Sequence, residues 1–151
     1  MAPNTAGVAR DGARGADRAR RRGLHPAALT QDGLEVALAT IADRSPVPVR
    51  LQVALGRRLP PEVEATCYFV VSEALTNAAR HAQAEVVDVI VSLRPDRLTI
   101  EISDDGVGGA SAEEGSGLQG LADRLSALGA RLEFESPPGR GTTIRTVLAC
   151  E

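Results

Sequence analysis

The sequence predicts an α/β two-layer sandwich, in which helices cover one face of a mixed, mainly antiparallel sheet. One long helical pattern spans residues 62–82. Two stretches of alternating apolar and polar residues, 86–103 and 131–148, each predict a pair of neighbouring strands. The predicted order is helix, strand, long helix, two strands, helix, two strands, and this order favours helices packed on a largely antiparallel sheet.

The first predicted elements precede the long helix. Residues 30–42 carry apolar side chains at helical spacing, and Thr30 or Asp32 is available as the N-cap. Residues 49–53 then alternate apolar and polar side chains, a pattern typical of a half-buried strand.

The long helix is the element around which the rest is organised. It follows two prolines, whose missing N–H groups cost nothing in a first turn. Glu73, Asn77 and His81 are each four residues apart, so they line one edge of the apolar stripe, and Arg80 points the same way. An acid, an amide, a base and a cation in one row indicate a site, although a solvated helix face remains the alternative. The stripe itself comprises Val63, Cys67, Val70, Val71, Ala74, Leu75 and Ala78.

Three further predicted elements follow the long helix. A helix ends before Gly129, as expected of a C-terminal glycine. The elements are the hairpin 86–93 with 97–103, the helix 118–128, and the strand pair 131–136 with 143–148.

Charge divides the 151-residue chain into two parts. Residues 1–23 contain six Arg and two Asp, and their Gly- and Ala-rich composition predicts a disordered tail. The remaining residues, 24–151, carry a net charge of −7 and suit a single domain.

Composition excludes several classes of function. The chain contains no Lys, which excludes a P-loop and lysine-nucleophile chemistry. It has no Trp, one Tyr and two Phe, so base-stacking platforms and a nucleic-acid partner are not expected. No apolar run has membrane-spanning length, and Cys67 and Cys150 lack metal-ligand spacing. These features favour a cytoplasmic protein with reduced thiols and no membrane segment.

Three glycine clusters are candidate ligand-binding loops. Asp104 ends a strand, where its carboxylate can accept hydrogen bonds, and Gly106 and Gly108 allow a flat ligand to approach the backbone. The glycines of 115–120 precede a helix, whose free N–H groups form an anion site. A third cluster, 139–142, lies at a hairpin tip. Taken singly, the loop after Asp104 is more simply explained as a tight turn, residues 115–120 are compatible with a connector, and the third cluster is expected at any hairpin tip.

Taken in order, the acidic-amide helix and the three glycine clusters resemble the ATP-binding domain shared by sensor histidine kinases, Hsp90, DNA gyrase B and MutL proteins, the Bergerat or GHKL fold. The resemblance covers roughly residues 31–150. The segments EALTNAARHA, DDGVGG, GLQGLADRL and PPGRGTTI are most similar to histidine kinases of the nitrate-sensor type.

The resemblance implies a phosphate and metal side of the site. Asn77 is expected to ligate the Mg²⁺ that bridges the ATP phosphates, since this ion takes few, hard oxygen ligands. Glu73 is expected to orient a metal-bound water or to act as the catalytic base. Arg80 and His81 fall where the family places a cation and a ring near the phosphates.

The resemblance also implies an adenine side. Asp104 is expected to accept the exocyclic amine of adenine, with Gly106 and Gly108 beneath the ring. Gly141 and Thr142 are expected to close this side of the pocket.

The second glycine box is expected to flank a lid over the phosphates. It comprises Gly115, Gly117 and Leu118. The short sequence between Gly108 and Gly115 predicts a short lid without the Phe-containing box of many histidine kinases.

The function implied is that of an ATP-binding catalytic domain that transfers the γ-phosphoryl group to a His in another chain or a missing domain. The partners implied are that phosphoacceptor domain and a response regulator. The upstream His25 is followed by Pro26, which cannot continue an acceptor helix. The chain is therefore expected to be a fragment, a truncated product or a partner acting in trans. An anti-sigma-factor-type serine kinase and a non-catalytic ATP-binding module are the alternatives.

Overall fold

A computed structural model describes residues 27–109 and 116–150. The predicted tail at 1–23, His25 and Gly115 lie outside the described residues. The helices are α1 (Ala27–Asp32), α2 (Leu34–Asp43), α3 (Pro61–Asn77) and α4 (Ser116–Ala127). The strands are β1 (Val49–Ala54), β2 (Val87–Leu93), β3 (Arg97–Asp104), β4 (Glu133–Glu135) and β5 (Thr142–Ala149).

The described strands form one mixed sheet in the order β1-β2-β3-β5-β4. β1 runs parallel to β2, with Val49 opposite Val87, and the other neighbouring pairs are antiparallel. A parallel pair needs a long crossover, and α3 supplies it by connecting β1 to β2. The predicted two-layer α/β fold with a mainly antiparallel sheet is confirmed.

The core lies between one face of the sheet and the helices. Inward-facing residues of β2 and β3 are buried, while alternate residues along both strands are partly exposed, as a half-covered sheet requires. Every residue of the predicted apolar stripe on α3 is buried. Burying each such Val or Leu contributes roughly 1.5–3 kcal/mol, so this stripe fixes the orientation of α3. The inward-facing strand residues are Val87, Val89, Val91, Leu98, Ile100 and Ile102.

The N-terminal helical region is two helices, and the prediction of one helix over 30–42 is wrong. Gly33 separates α1 from α2 and has a φ of 89°, a left-handed conformation that interrupts a right-handed helix. Gly33 is also the N-cap of α2 and makes no side-chain capping bond. The predicted N-caps Thr30 and Asp32 both lie within α1 instead.

The long helix has two parts. α3 is α-helical to Asn77 and continues as a π-helical turn over Ala78–Ala82, which ends at Gln83 with a φ of 54°. A π-helical turn has i→i+5 hydrogen bonds, so residues beyond Asn77 are rotated relative to a continuous α-helix. The helix predicted at 62–82 therefore has the expected extent but a different periodicity in its last turn.

An ion pair between the exposed Arg58 and the buried Glu64 connects the N-terminus of α3 to α1. The Glu64 side chain is 4% exposed, and both of its oxygens accept hydrogen bonds from the Arg58 guanidinium at 3.0 and 2.9 Å. Glu64 also accepts the Leu59 backbone N–H at 3.1 Å. Arg58 donates in addition to the carbonyl oxygens of Leu29 and Thr30 in α1. One residue pair thus joins α1, the segment that precedes α3, and the first turn of α3.

Candidate functional site

Asp104 occupies the end of β3, where the sheet meets the first glycine loop. Its Oδ1 accepts the backbone N–H of Gly106 at 2.8 Å, which closes a tight turn. Asp104 is half-buried and Gly106 is buried. Asp104 therefore ends the strand, as predicted, and also closes a turn. One carboxylate oxygen accepts the Gly106 N–H while the side chain still borders the glycine loop.

The first and third glycine clusters interlock. Gly108 and Gly141 have φ values of 64° and 75°, which strongly favour glycine. A Cβ at Gly141 would overlap the carbonyl oxygen of Asp104, and one at Gly108 would overlap that of Pro137. Thr142 pairs with Asp104 in the β3–β5 register. The structure thus brings together four residues that the sequence predicted on the adenine side: Asp104, Gly108, Gly141 and Thr142.

Backbone hydrogen bonds join the loop that follows β3 to the loop that precedes β5. Gly109 N–H donates to the Ser136 carbonyl and Gly139 N–H donates to the Val107 carbonyl, both at 2.6 Å. The hydroxyl groups of Ser136 and Thr142 are also hydrogen-bonded, with 2.7 Å between their oxygens. The loops therefore form one preorganised wall.

Asp105 is a supporting residue that the sequence analysis did not assign. Its Oδ1 accepts the backbone N–H groups of Glu85 and Val86 at 2.8 and 3.1 Å, which ties the loop to the chain that precedes β2. These bonds, that of Val86 first, lower the pKa of the Asp105 carboxyl group below its usual range. The only sequence signal for this role was the second acid of the Asp-Asp-Gly sequence. The backbone groups that Asp105 binds lie about 20 residues earlier in the chain.

Glu73 lies against the first turn of α4. A Cβ at Gly117 would overlap the Glu73 carboxylate, so the absence of a side chain allows this approach. Glu73 is half-buried, and the adjacent Leu118 is buried in the core. The structure therefore joins the acidic helix to the second glycine cluster, at the end of α4 where free backbone N–H groups concentrate.

The other polar residues of the helix occupy different positions. Asn77 is half-buried at the last α-helical position, and His81 is exposed in the π-helical turn. Arg80 is exposed and lines a cleft beside Ser72 and Thr76, together with residues of α2. Glu73 and Asn77 do not line this cleft, and Arg80 and His81 lie beyond Asn77 in the π-helical turn.

Residues 27–109 and 116–150 contain neither a cluster of metal-ligating side chains nor a membrane-spanning helix. No group of three or more His, Cys, Asp or Glu side chains is arranged to hold a metal ion there. Within the same ranges, no helix has the length and apolar character needed to cross a membrane.

Comparisons with known proteins relate this geometry to a family. The model of the family described as histidine kinase-, DNA gyrase B-, and HSP90-like ATPase matches residues 62–151. Among curated proteins, the oxygen sensor histidine kinase NreB of Staphylococcus carnosus is 29% identical over 80% of this chain and 38% of its own length. The histidine-protein kinase/phosphatase DegS of Brevibacillus brevis is 37% identical over 61% of this chain and 25% of its own. The chain thus spans well under half the length of these relatives.

Solved structures show the same architecture. The histidine kinase domain of a blue-light-activated kinase from Erythrobacter litoralis aligns with a TM-score of 0.62 and 27% identity, over 78% of this chain and 59% of that one. The ATP-binding domain of PrrB from Mycobacterium tuberculosis aligns with a TM-score of 0.59 and 22% identity, over 81% of this chain and 94% of that one, and shows the fold. With its family model matched across all three glycine clusters, this chain belongs to the histidine kinase-, DNA gyrase B-, and HSP90-like ATPase family.

Proposed function

We propose that this chain is the ATP-binding catalytic part of a two-component sensor histidine kinase, and that it passes the γ-phosphoryl group of ATP to a His outside the chain. The observation that carries the proposal is the interlocking of the loops around Asp104 and Gly141. The similar curated proteins are histidine kinases, which favours this function over a serine kinase or a non-catalytic module.

The adenine side consists of the preorganised wall. One oxygen of Asp104 is held by the Gly106 N–H, which leaves the carboxylate able to accept the adenine amine through its remaining lone pairs. Gly106 and Gly108 lie beneath the ring, and Gly141 and Thr142 close the pocket. Because the Asp104 carboxylate accepts a hydrogen bond, it favours adenine over a base that lacks the exocyclic donor.

The phosphate side consists of α3 and the start of α4. The amide oxygen of Asn77 is a hard donor, and Mg²⁺ is commonly held by one or two protein oxygens together with substrate phosphates, so the residues present fit this ion. When bound, Mg²⁺ neutralises charge on the transferring phosphoryl group. The Glu73 carboxylate orients a water or accepts a proton, while Gly117 and Leu118 present backbone N–H groups to the phosphates. Gly115, which lies outside the described residues, is assigned to the same glycine box. Arg80 and His81 are assigned to the rim of this side.

The partners follow from the reaction. Phosphoryl transfer needs positioned groups rather than covalent chemistry by the protein, so an acceptor domain with a His must dock beside the γ-phosphate. A response regulator then receives the group. The 29% identity to NreB supports the nitrate-sensor type, and cytoplasmic ATP supports a cytoplasmic location.

Thermal unfolding with and without Mg-ATP tests the nucleotide site. At about 100 times the Kd, binding adds roughly 2.7 kcal/mol, which raises the midpoint by about 5–10 °C for a domain of this size. We expect Asp104→Asn to remove the shift. The Asn oxygen still accepts the Gly106 N–H, but the amide NH₂ group is a donor and cannot accept a hydrogen bond from adenine. Asp96→Asn, at an exposed turn, is the matched control and retains the shift. Equal shifts in all three proteins contradict the adenine assignment.

Transfer is tested separately with radiolabelled ATP. The acceptor domain of a similar sensor kinase, expressed alone, is mixed with this chain, and phosphate that is labile to acid and stable to base identifies phosphohistidine. Glu73→Gln is expected to abolish transfer while ATP still raises the unfolding midpoint. Label on Ser, or ATP binding without transfer to any acceptor tested, favours one of the two alternative functions.

A further inference from the structure

An open cleft of about 410 Å³ lies between α2 and the C-terminal part of the long helix, and of its lining residues only Arg80 is shared with the proposed nucleotide site. Its apolar lining comes from both helices: Leu75 is buried, Ile41 is half-buried, and Ala79 is exposed. Clefts of this volume commonly hold ligands in proteins. The apolar lining favours a partner with an apolar surface of its own.

Two arginines border this cleft. Arg44 lies at the end of α2 and Arg80 at the end of the long helix, and both are exposed. Within the described residues, neither guanidinium makes an ion pair or a side-chain hydrogen bond. Both guanidinium groups are therefore available to a partner beside the apolar lining of the cleft. Their charge favours an acidic partner.

The cleft is long enough to accept a short segment of helix. The lining residues of α3 and its π-helical turn run from Ser72 to Arg80, eight steps along the axis. At 1.5 Å per residue this is about 12 Å, or roughly two helical turns. A helix laid in such a groove contacts it through residues at i, i+3, i+4 and i+7.

We propose that this cleft binds an acidic amphipathic helix from a partner, with apolar residues on Ile41, Leu75 and Ala79 and carboxylates paired with Arg44 and Arg80. The N-terminal residues of this chain are a poor occupant, since residues 1–23 contain six Arg and have the same sign of charge as the cleft. The proposal does not depend on phosphoryl transfer.

The test is an NMR titration of the ¹⁵N-labelled chain with two synthetic 18-residue helical peptides. Both have one Leu/Ala face, which is flanked by Glu in one peptide and by Lys in the other. We expect the acidic peptide to shift amide resonances of residues 41–46 and 72–80, and the basic peptide to leave them unchanged. Arg44→Glu is expected to raise the Kd about tenfold, equivalent to about 1.4 kcal/mol.

Matched variants separate this site from general electrostatics. Arg94→Glu changes an exposed arginine at the β2–β3 turn and is expected to leave the Kd unchanged. Ala79→Glu places a negative charge on the exposed cleft surface and is expected to abolish binding, with a dispersed spectrum as proof of folding. Equal binding of both peptides, shifts confined to other residues, or equal binding of decanoate overturns the proposal. Concentration-dependent shifts at 41–46 without peptide also overturn it, because the occupant is then a second copy.

Discussion

Gly117 lacks a side chain at the point where α4 meets the Glu73 carboxylate. Any side chain there displaces either the carboxylate or the start of α4. We expect Gly117→Ala to destabilise the fold by about 1–3 kcal/mol, the range for inserting a methyl group into a packed contact. We also expect it to weaken Mg-ATP binding, because Glu73 moves. Urea unfolding and calorimetric titration measure the two effects.

Gly120 provides the matched control in the same helix. A Cβ at Gly120 meets nothing within 4 Å, so Gly120→Ala is expected to stabilise the fold by about 0.5–1 kcal/mol through helix propensity. In a Glu73→Ala background, Gly117→Ala is expected to become nearly neutral, because the overlapping group is gone. A cost that persists in that background would show that the contact with Glu73 is not its cause.

Asp105 gives the site a dependence on pH. Its two backbone hydrogen bonds lower the pKa of its carboxyl group in the folded state. Such a group contributes stability that is fully present above the unfolded pKa of about 3.9, and this stability is lost as the pH falls through the lower folded pKa. The unfolding midpoint of the wild type is therefore expected to fall more steeply below about pH 5 than that of Asp105→Asn.

Asp96→Asn is the control for this pH dependence. The Asp96 side chain is 63% exposed at a turn and accepts no backbone N–H. Its midpoint is expected to follow the wild-type curve from pH 7 to pH 3. If Asp105→Asn also follows the wild-type curve, the anchoring of the loop to Glu85 and Val86 is not electrostatic.

Sequence predicted the candidate residues better than it predicted their supports. Asp104 and Gly141 were identified because residue type and local order suffice for a strand end and a glycine loop. The role of Asp105 depends on backbone donors about 20 residues earlier in the chain. Likewise, the contact between Glu73 and Gly117 depends on the packing of α3 on α4, which no local pattern contains.

At the scale of elements, helix periodicity failed where backbone geometry changed. Gly33 adopts a left-handed conformation and divides the N-terminal helix, although glycine alone does not determine φ in a sequence. The prediction that one helix edge carries Glu73, Asn77, Arg80 and His81 assumed a continuous α-helix. Because a π-helical turn follows Asn77, this assumption does not hold for Arg80 and His81. Such turns occur frequently at functional sites.

The Arg58–Glu64 pair attaches α1 to the N-terminus of α3, and its two members are not equivalent. The Arg58 side chain is 56% exposed, whereas that of Glu64 is 4% exposed. Glu64→Ala leaves Arg58 in water and removes the acceptor for the Leu59 N–H, with an expected cost of about 1–3 kcal/mol. Arg58→Ala leaves a buried carboxylate unpaired, and we expect a larger loss in urea unfolding at pH 7.

A double variant distinguishes the effect of a buried unpaired charge from a simple loss of contacts. The double variant Arg58→Met with Glu64→Leu is expected to recover most of the stability, because it replaces the ion pair with apolar groups. A double variant that is as unstable as Arg58→Ala would contradict the account based on a buried charge.

At the scale of the whole molecule, the layer architecture followed from the order of elements, but the strand pairing did not. The sequence predicted both antiparallel strand pairs, because two strands joined by a short connection usually pair with each other. The parallel pairing of β1 with β2 forms across α3, between residues 38 positions apart. That pairing depends on the burial of the apolar stripe of α3 against the sheet, and this is a property of the assembled layers.

The described segments are expected to unfold as one unit. Leu29 of α1 is 1% exposed in the same core as α3 and the sheet, and Arg58 adds polar contacts to α1. Tyr68 is the only tyrosine in a chain without tryptophan, so its fluorescence reports on α3 alone. We expect its urea transition to coincide with that of far-UV circular dichroism, which reports on all elements. In Arg58→Ala, α1 is expected to separate first, and the circular dichroism change then precedes the tyrosine change. Separate transitions in the wild type would contradict a single cooperative domain and place the weak boundary at α1.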